Sequence, residues 1–142
     1  MDQHSLFQIS ASGMAVEKLR LDVTTANLAN MHSTAGAGRA LYRPMQVISR
    51  AVPLTFSEQM GQVAAGGAEV ASIAPQDVAP RMVFEPAHPD ADAKGFVAYP
   101  GVNQTSEMMT MLSALRAYEA NVVAMNAAKT MATRALEIGG QS

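Results

Sequence analysis

Residues 106–138 carry the period of a helix but no polar side. Met108, Met111, Leu115, Tyr118, Val122, Met125, Ala132 and Leu136 follow an alternating three-and-four spacing, with Lys129 the one polar residue in the row. Held over this length, the spacing predicts a coiled-coil seam. Off the seam stand Met109, Leu112, Val123, Met131 and Ile138, with Ala at many of the remaining positions. A helix that is apolar on several sides must be covered on several sides. One partner helix cannot do that. The stretch therefore predicts either a compact bundle or burial by neighbouring subunits. The second fits better, because small side chains let helix axes approach closely and Met adapts to neighbours that differ. Ser106 is the expected N-cap and Gly139 the expected stop.

A second helix is predicted over residues 5–30. Ile9, Val16 and Val23 recur every seven residues, with Leu19 and Ala26 between them. Glu17, Lys18, Arg20 and Asp22 form one charged collar. Gly13 weakens the helix but permits close backbone approach. By their chemistry Asn27 and Asn30 read as a C-terminal cap before the loop "HSTAGAG". Asn121 and Asn126, inside the last helix, are either solvated or hydrogen-bonded across helices to fix register.

From Met31 to about Gln104 the helical period is lost. "LYRPMQVISRAVPLTF" and "EVASIAP" contain short β-type alternations, and five prolines between Pro75 and Pro100 prevent a long helix. "PRMVFEP" and "GFVAYP" read as a hairpin with "AHPDADAK" as its turn, and "EQMGQVAAGGA" as a connector. The expected fold is mainly α with a small β-rich middle. Its long terminal helices pair as an antiparallel coiled coil, dividing one domain into residues 1–32, 33–105 and 106–142.

A net charge of −2 with no run of Lys or Arg argues against a nucleic-acid face. Without cysteine there is no disulfide, thiolate metal site or Cys nucleophile. The first residues place no Lys or Arg before the apolar ones, so no Sec-type signal is expected, and no apolar segment is long enough to span a bilayer. Glu85, His88, Asp90 and Asp92 offer oxygen and nitrogen ligands within eight residues. Their spacing is neither that of an EF-hand nor of a HExxH pair, and Pro86 and Pro89 favour a plain turn. His4, His32 and His88 belong to no visible triad, and no nucleotide-binding loop is present. The expectation is a protein that is not an enzyme, with no cofactor, no metal and no small-molecule substrate.

Three segments together resemble a known family. They are "FQISASGMAVEKLRLDVTTANLANMHST", "MVFEPAHPDADAKGFVAYPGVN" and "EMMTMLSALRAYEANVVAMNAAKTMATRALEIG", and the combination of "ISASGM", "HPDAD" with "GFVAYPGVN", and "RAYEAN" is specific. The chain resembles the bacterial flagellar basal-body rod proteins of the axial family, those of the proximal rod above all. The resemblance implies paired terminal helices in the inner layer of a helical tube, with the middle segment facing outward. It implies type III export without a cleaved signal and a place in the periplasm-spanning rod that carries torque to the hook. Implied partners are other rod proteins, inner-membrane ring and export-gate components, and neighbouring copies of the chain. By position, the family's asparagine-rich helix end falls on Asn27 and Asn30, and its C-terminal packing motif on Arg116, Tyr118, Glu119 and Asn121. With these, Ile9, Gly13, Met14, Val16, Leu19, Val23, Met108, Met111, Leu115, Val122, Met125 and Leu136 are the expected assembly and packing residues. The chain departs from the family at Ala40-Leu41 before Tyr42, where relatives carry Gly-Pro, and at "PGVN", where they tend to read Pro-Asn-Val-Asn. A small soluble coiled-coil adaptor associated with secretion is the alternative.

Overall fold

The computed structural model describes residues 3–36, 39–52 and 66–139, with side chains from residue 6 onward. Helix α1 spans Gln3–Asn30 and helix α2 spans Gln104–Gly139. Among the described residues four strands lie between them: β1 Met45–Ala51, β2 Ala68–Pro75, β3 Arg81–Phe84 and β4 Phe96–Tyr99. Most of the expected connector, residues 58–68, falls outside the described residues.

Local chemistry fixes the helix ends. Asn30 Nδ2 donates to the Ala26 carbonyl at 2.8 Å, and both Ser33 N–H and Ser33 Oγ donate to the Asn30 carbonyl. The Ser33 bonds take up a carbonyl that the last turn of α1 leaves free, and the Asn30 side chain folds back on the turn before it. Helix α2 is capped by Asn103, whose Oδ1 accepts the Ser106 N–H at 3.1 Å. The expected cap, Ser106, lies instead within the first turn. Asn103 takes the role because its amide oxygen reaches the third helical N–H, as a capping side chain must.

The strands form two separate two-stranded antiparallel sheets, where the alternations of sequence had placed them. β1 pairs with β2 from Met45↔Pro75 to Ala51↔Ala68, and the register slips between Ile48 and Ser49. β3 pairs with β4 from Arg81↔Tyr99 to Phe84↔Phe96. The second hairpin turns through Asp92, whose Oδ1 accepts both Lys94 N–H and Phe96 N–H at 2.8 Å. Gly95 completes the turn at φ 82°, with the Phe84 ring where a side chain would stand. The Phe84 and Phe96 rings meet edge to face at 5.3 Å.

Helices α1 and α2 pack along one another, and both strands of the first hairpin lie on α1. Asn27 lies 3.1 Å from Glu107, and Gly13 faces Asn121. Among the described residues the buried apolar side chains are Val16, Val97, Ala114 and Ala128, with Pro44 and Pro100 beside them in the loops. Between the helices these are Val16 and two alanines, so close backbone approach supplies most of the core there.

Candidate functional site: an apolar outer face and a polar joint

The face of α2 turned toward α1 is read from burial. Glu107, Ala114 and Ala128 are buried, and Met111, Tyr118, Asn121, Met125 and Ala132 are half-buried. These eight keep a four-and-three spacing. The expected row shares Met111, Tyr118, Met125 and Ala132 with it, but its other positions are one residue off. Met108 and Leu115 are largely exposed, Val122 is half-buried, and Leu136 is 77% exposed. Where the two rows differ, the inward place goes to the small Ala114 and Ala128 or the partnered Glu107 and Asn121, because larger residues there would push the axes apart.

On α1 the same correction holds in part. Val16 is buried and Gly13, Met14, Leu19 and Val23 are half-buried, whereas Ile9 is exposed. Ser10 and Thr24 are buried and had not been expected there, and Asn27, expected as a cap and by the resemblance as an assembly contact, is buried with them. Ser10, Thr24, Gly13 and Asn27 also fit a heptad pattern, but their polarity hides it from a search for apolar residues.

The opposite side of α2 is apolar and uncovered. Met109 and Val123 are each 67% exposed, with Leu112 and Met131 close behind. Arg116 and Glu119 stand among them, exposed and without a hydrogen bond or ion pair among the described residues. The motif "RAYEAN" is therefore divided. Tyr118 and Asn121 turn inward, and Arg116 and Glu119 turn outward.

A buried polar cluster joins the far end of α1 to the start of α2. Asn27 is fully buried. Its Oδ1 accepts Tyr42 OH at 2.8 Å and Met45 N–H at 2.9 Å, while its Nδ2 donates to the Met45 carbonyl at 2.8 Å and to Glu107 Oε2. Gln76 Nε2 donates to Glu107 Oε1 at 2.9 Å and to the Met45 carbonyl at 3.2 Å. Glu107 is thus a buried carboxylate held by two neutral amides, in the first turn of α2 where the helix dipole favours an anion. No Lys or Arg pairs with it among the described residues. Burial, and then the Glu107 charge, push the Tyr42 hydroxyl above the ordinary tyrosine value. Asn27, expected to be a cap, is a bridge between three elements.

The polar turn is occupied with its own geometry. Thr34 Oγ1 donates to Asp90 Oδ2 at 2.6 Å, Asp90 N–H to His88 Nδ1 at 3.1 Å, and Tyr99 OH to Glu85 Oε2 at 3.1 Å. Among the described residues no three His, Asp or Glu side chains group as metal ligands. A cleft of about 350 Å³, lined mainly by Leu41, Pro44, Val78, Pro80, Pro100 and Gly101, brings together no nucleophile and base.

Two family patterns match the chain. The one described as "Flagella basal body rod protein" covers residues 7–37, and "Flagellar basal body rod FlgEFG protein C-terminal" covers residues 93–138. The flagellar basal-body rod protein FlgC of Bacillus subtilis is 38% identical over 96% of this chain and 97% of its own. Its counterpart in Yersinia enterocolitica is 37% identical over 95% and 96%. The chain belongs to the FlgC family of flagellar basal-body rod proteins. The FlgC protein of Borreliella burgdorferi is 33% identical over 97% of this chain and 98% of its own. FlgC proteins are structural components of the rod and not enzymes. The two matched segments take in most of both helices and strand β4, and the uncovered face of α2 lies within the second. No helix among the described residues is long and apolar enough to cross a membrane.

Proposed function

We propose that the chain is a subunit of the proximal rod, stacked helically into the shaft that carries torque to the hook. The observation that carries this reading is the outer face of α2. Met109, Leu112, Val123 and Met131 are left largely exposed among the described residues, and an apolar face of that length marks an interaction surface. Neighbouring copies and other rod proteins cover it. Many close contacts between helices, each weak, add up to a stiff object.

Within the subunit, α1 and α2 form an antiparallel coiled coil. Support comes from two contacts: Asn27 lies against Glu107 and Gly13 against Asn121, so residue numbers rise on one helix as they fall on the other. Ile9, Met14, Leu19, Val23, Asn30, Met108, Leu115, Arg116, Glu119, Val122 and Leu136 then divide between the flanks of this pair and its outer contacts. The inner-membrane ring and the export gate are the neighbours at the base of the rod, and type III export without a cleaved signal brings the chain there.

Quantitative mass spectrometry of purified hook–basal bodies tests the reading. A few copies per particle, at a fixed ratio to the other rod proteins, is the expected result. A chain absent from the particles and free in the cytoplasm would be the secretion-associated adaptor instead.

A further inference from the structure

The first hairpin lies along α1 like a splint, tied at three places. Ser12 Oγ accepts Ala68 N–H at 3.1 Å, Arg20 Nη2 donates to Ser49 Oγ at 3.3 Å, and Asn27 meets Met45. Residues 12–27 of α1 rise about 22 Å, close to the ~20 Å between the first and last residues of β1. The first two ties are single hydrogen bonds. One such bond limits a distance and leaves the two partners free to turn about it.

The third tie differs in kind. The Asn27 amide pairs with both N–H and C=O of Met45, as a neighbouring strand residue would, and so fixes orientation as well as distance. Glu107 then binds the same amide to the first turn of α2, and Gln76, just beyond β2, binds the same carboxylate. Four separate parts of the chain meet there, and no buried side-chain polar atom among the described residues lacks a partner. An apolar cluster of this size would be easier to bury, but it would tolerate sliding. A fully satisfied polar network permits one arrangement. Among the described residues, those that otherwise link helices to hairpins, 31–36, 39–44 and 100–103, have no regular structure.

We propose that Asn27 and Glu107 are positioning residues through which turning force passes between the helix pair and the hairpin layer. This rests on the rod reading above. Without the joint, each subunit would keep its elements but let the hairpin swivel on the helices, and the shaft would soften.

The test uses strains carrying Glu107→Gln, with hook–basal bodies purified from them. The substitution keeps the shape but sets an NH₂ group against one of the two donors. Expected results are a wild-type copy number, Met45 amide exchange about tenfold faster, and rods that break at lower shear. A role confined to folding would lower the copy number and leave the assembled rods as strong as before. Gln76→Met removes one donor and spares every bond to Asn27, and it decides the question if Glu107→Gln fails to incorporate. Either variant, present at wild-type copy number with unchanged Met45 exchange or undiminished shear resistance, overturns the joint. Absence of the unmodified chain from the particles overturns the rod reading first.

Discussion

Asn121 rests against the bare backbone of Gly13: a side-chain carbon at residue 13 would stand 2.8 Å from Asn121 Nδ2 and 3.0 Å from its Oδ1. The amide is itself held, with Nδ2 donating to the Ala117 carbonyl at 2.9 Å. Alanine is the better helix former by about 1 kcal/mol, but at this position its methyl meets an anchored neighbour. Gly13→Ala should therefore gain little or lose stability, whereas the same change in an Asn121→Ala background should gain about 0.5–1 kcal/mol. Denaturant unfolding of the four proteins in a double-mutant cycle measures the coupling; additive effects would show that the two residues do not meet.

The outer face of α2 separates folding from assembly. Val123→Asp changes a largely exposed position, so unfolding of the isolated chain should shift by no more than about 0.5 kcal/mol. In cells the same variant should be made at normal levels yet be missing from basal bodies, because a buried unpaired carboxylate at a subunit contact is strongly unfavourable. Motility and copy number in purified particles report the second effect.

Tyr42 gives the joint an alkaline limit. Its hydroxyl is held above the ordinary value by burial and by the charge on Glu107, and it donates to Asn27 Oδ1. A group whose folded value is raised stabilises the fold fully below its unfolded value, about 10, and that contribution is lost as pH climbs through the folded value. Stability should thus fall above about pH 10, with Met45 N–H exposed early. Tyr42→Phe should be less stable at neutral pH and should lack this alkaline step, as unfolding curves across pH will record.

The cap of α2 is tested by two single changes. Asn103→Ala removes the bond to Ser106 N–H and should cost about 0.5–2 kcal/mol. Ser106→Ala, one turn in, should cost almost nothing by the same measure. A reversed order would return the cap to Ser106.

Both helices, the strand-forming stretches and the pairing of the second hairpin could be read from the chain, because each rests on a short-range pattern; the pairing of β1 with β2, set by residues far apart in sequence, could not. Val16 and Val23 announce a period of seven, and "MVF" and "FVAY" flank a turn rich in Pro and Asp. The phase of the α2 seam was harder. A pattern search favours the largest apolar residue, so Leu115 outranks Ala114 and Val122 outranks Asn121, whereas close packing favours the smallest. One residue turns a helix by about 100°, enough to move half the row to the flank. Asn27 was hidden for another reason. Its partners Met45 and Glu107 lie 18 and 80 residues away, and nothing near it in sequence distinguishes a bridging amide from a capping one.

Helix α2 has 36 residues and α1 has 28. With Asn27 beside Glu107, the two start level at one end, so the surplus of eight falls wholly at the other, about 12 Å of helix bearing Leu136 and Ile138. Each subunit is thus a tongue without a matching groove of its own. Units of that shape fit together by overlapping, as roof tiles do. In the rod proposed above, the length of the tongue would set the lap between one course and the next.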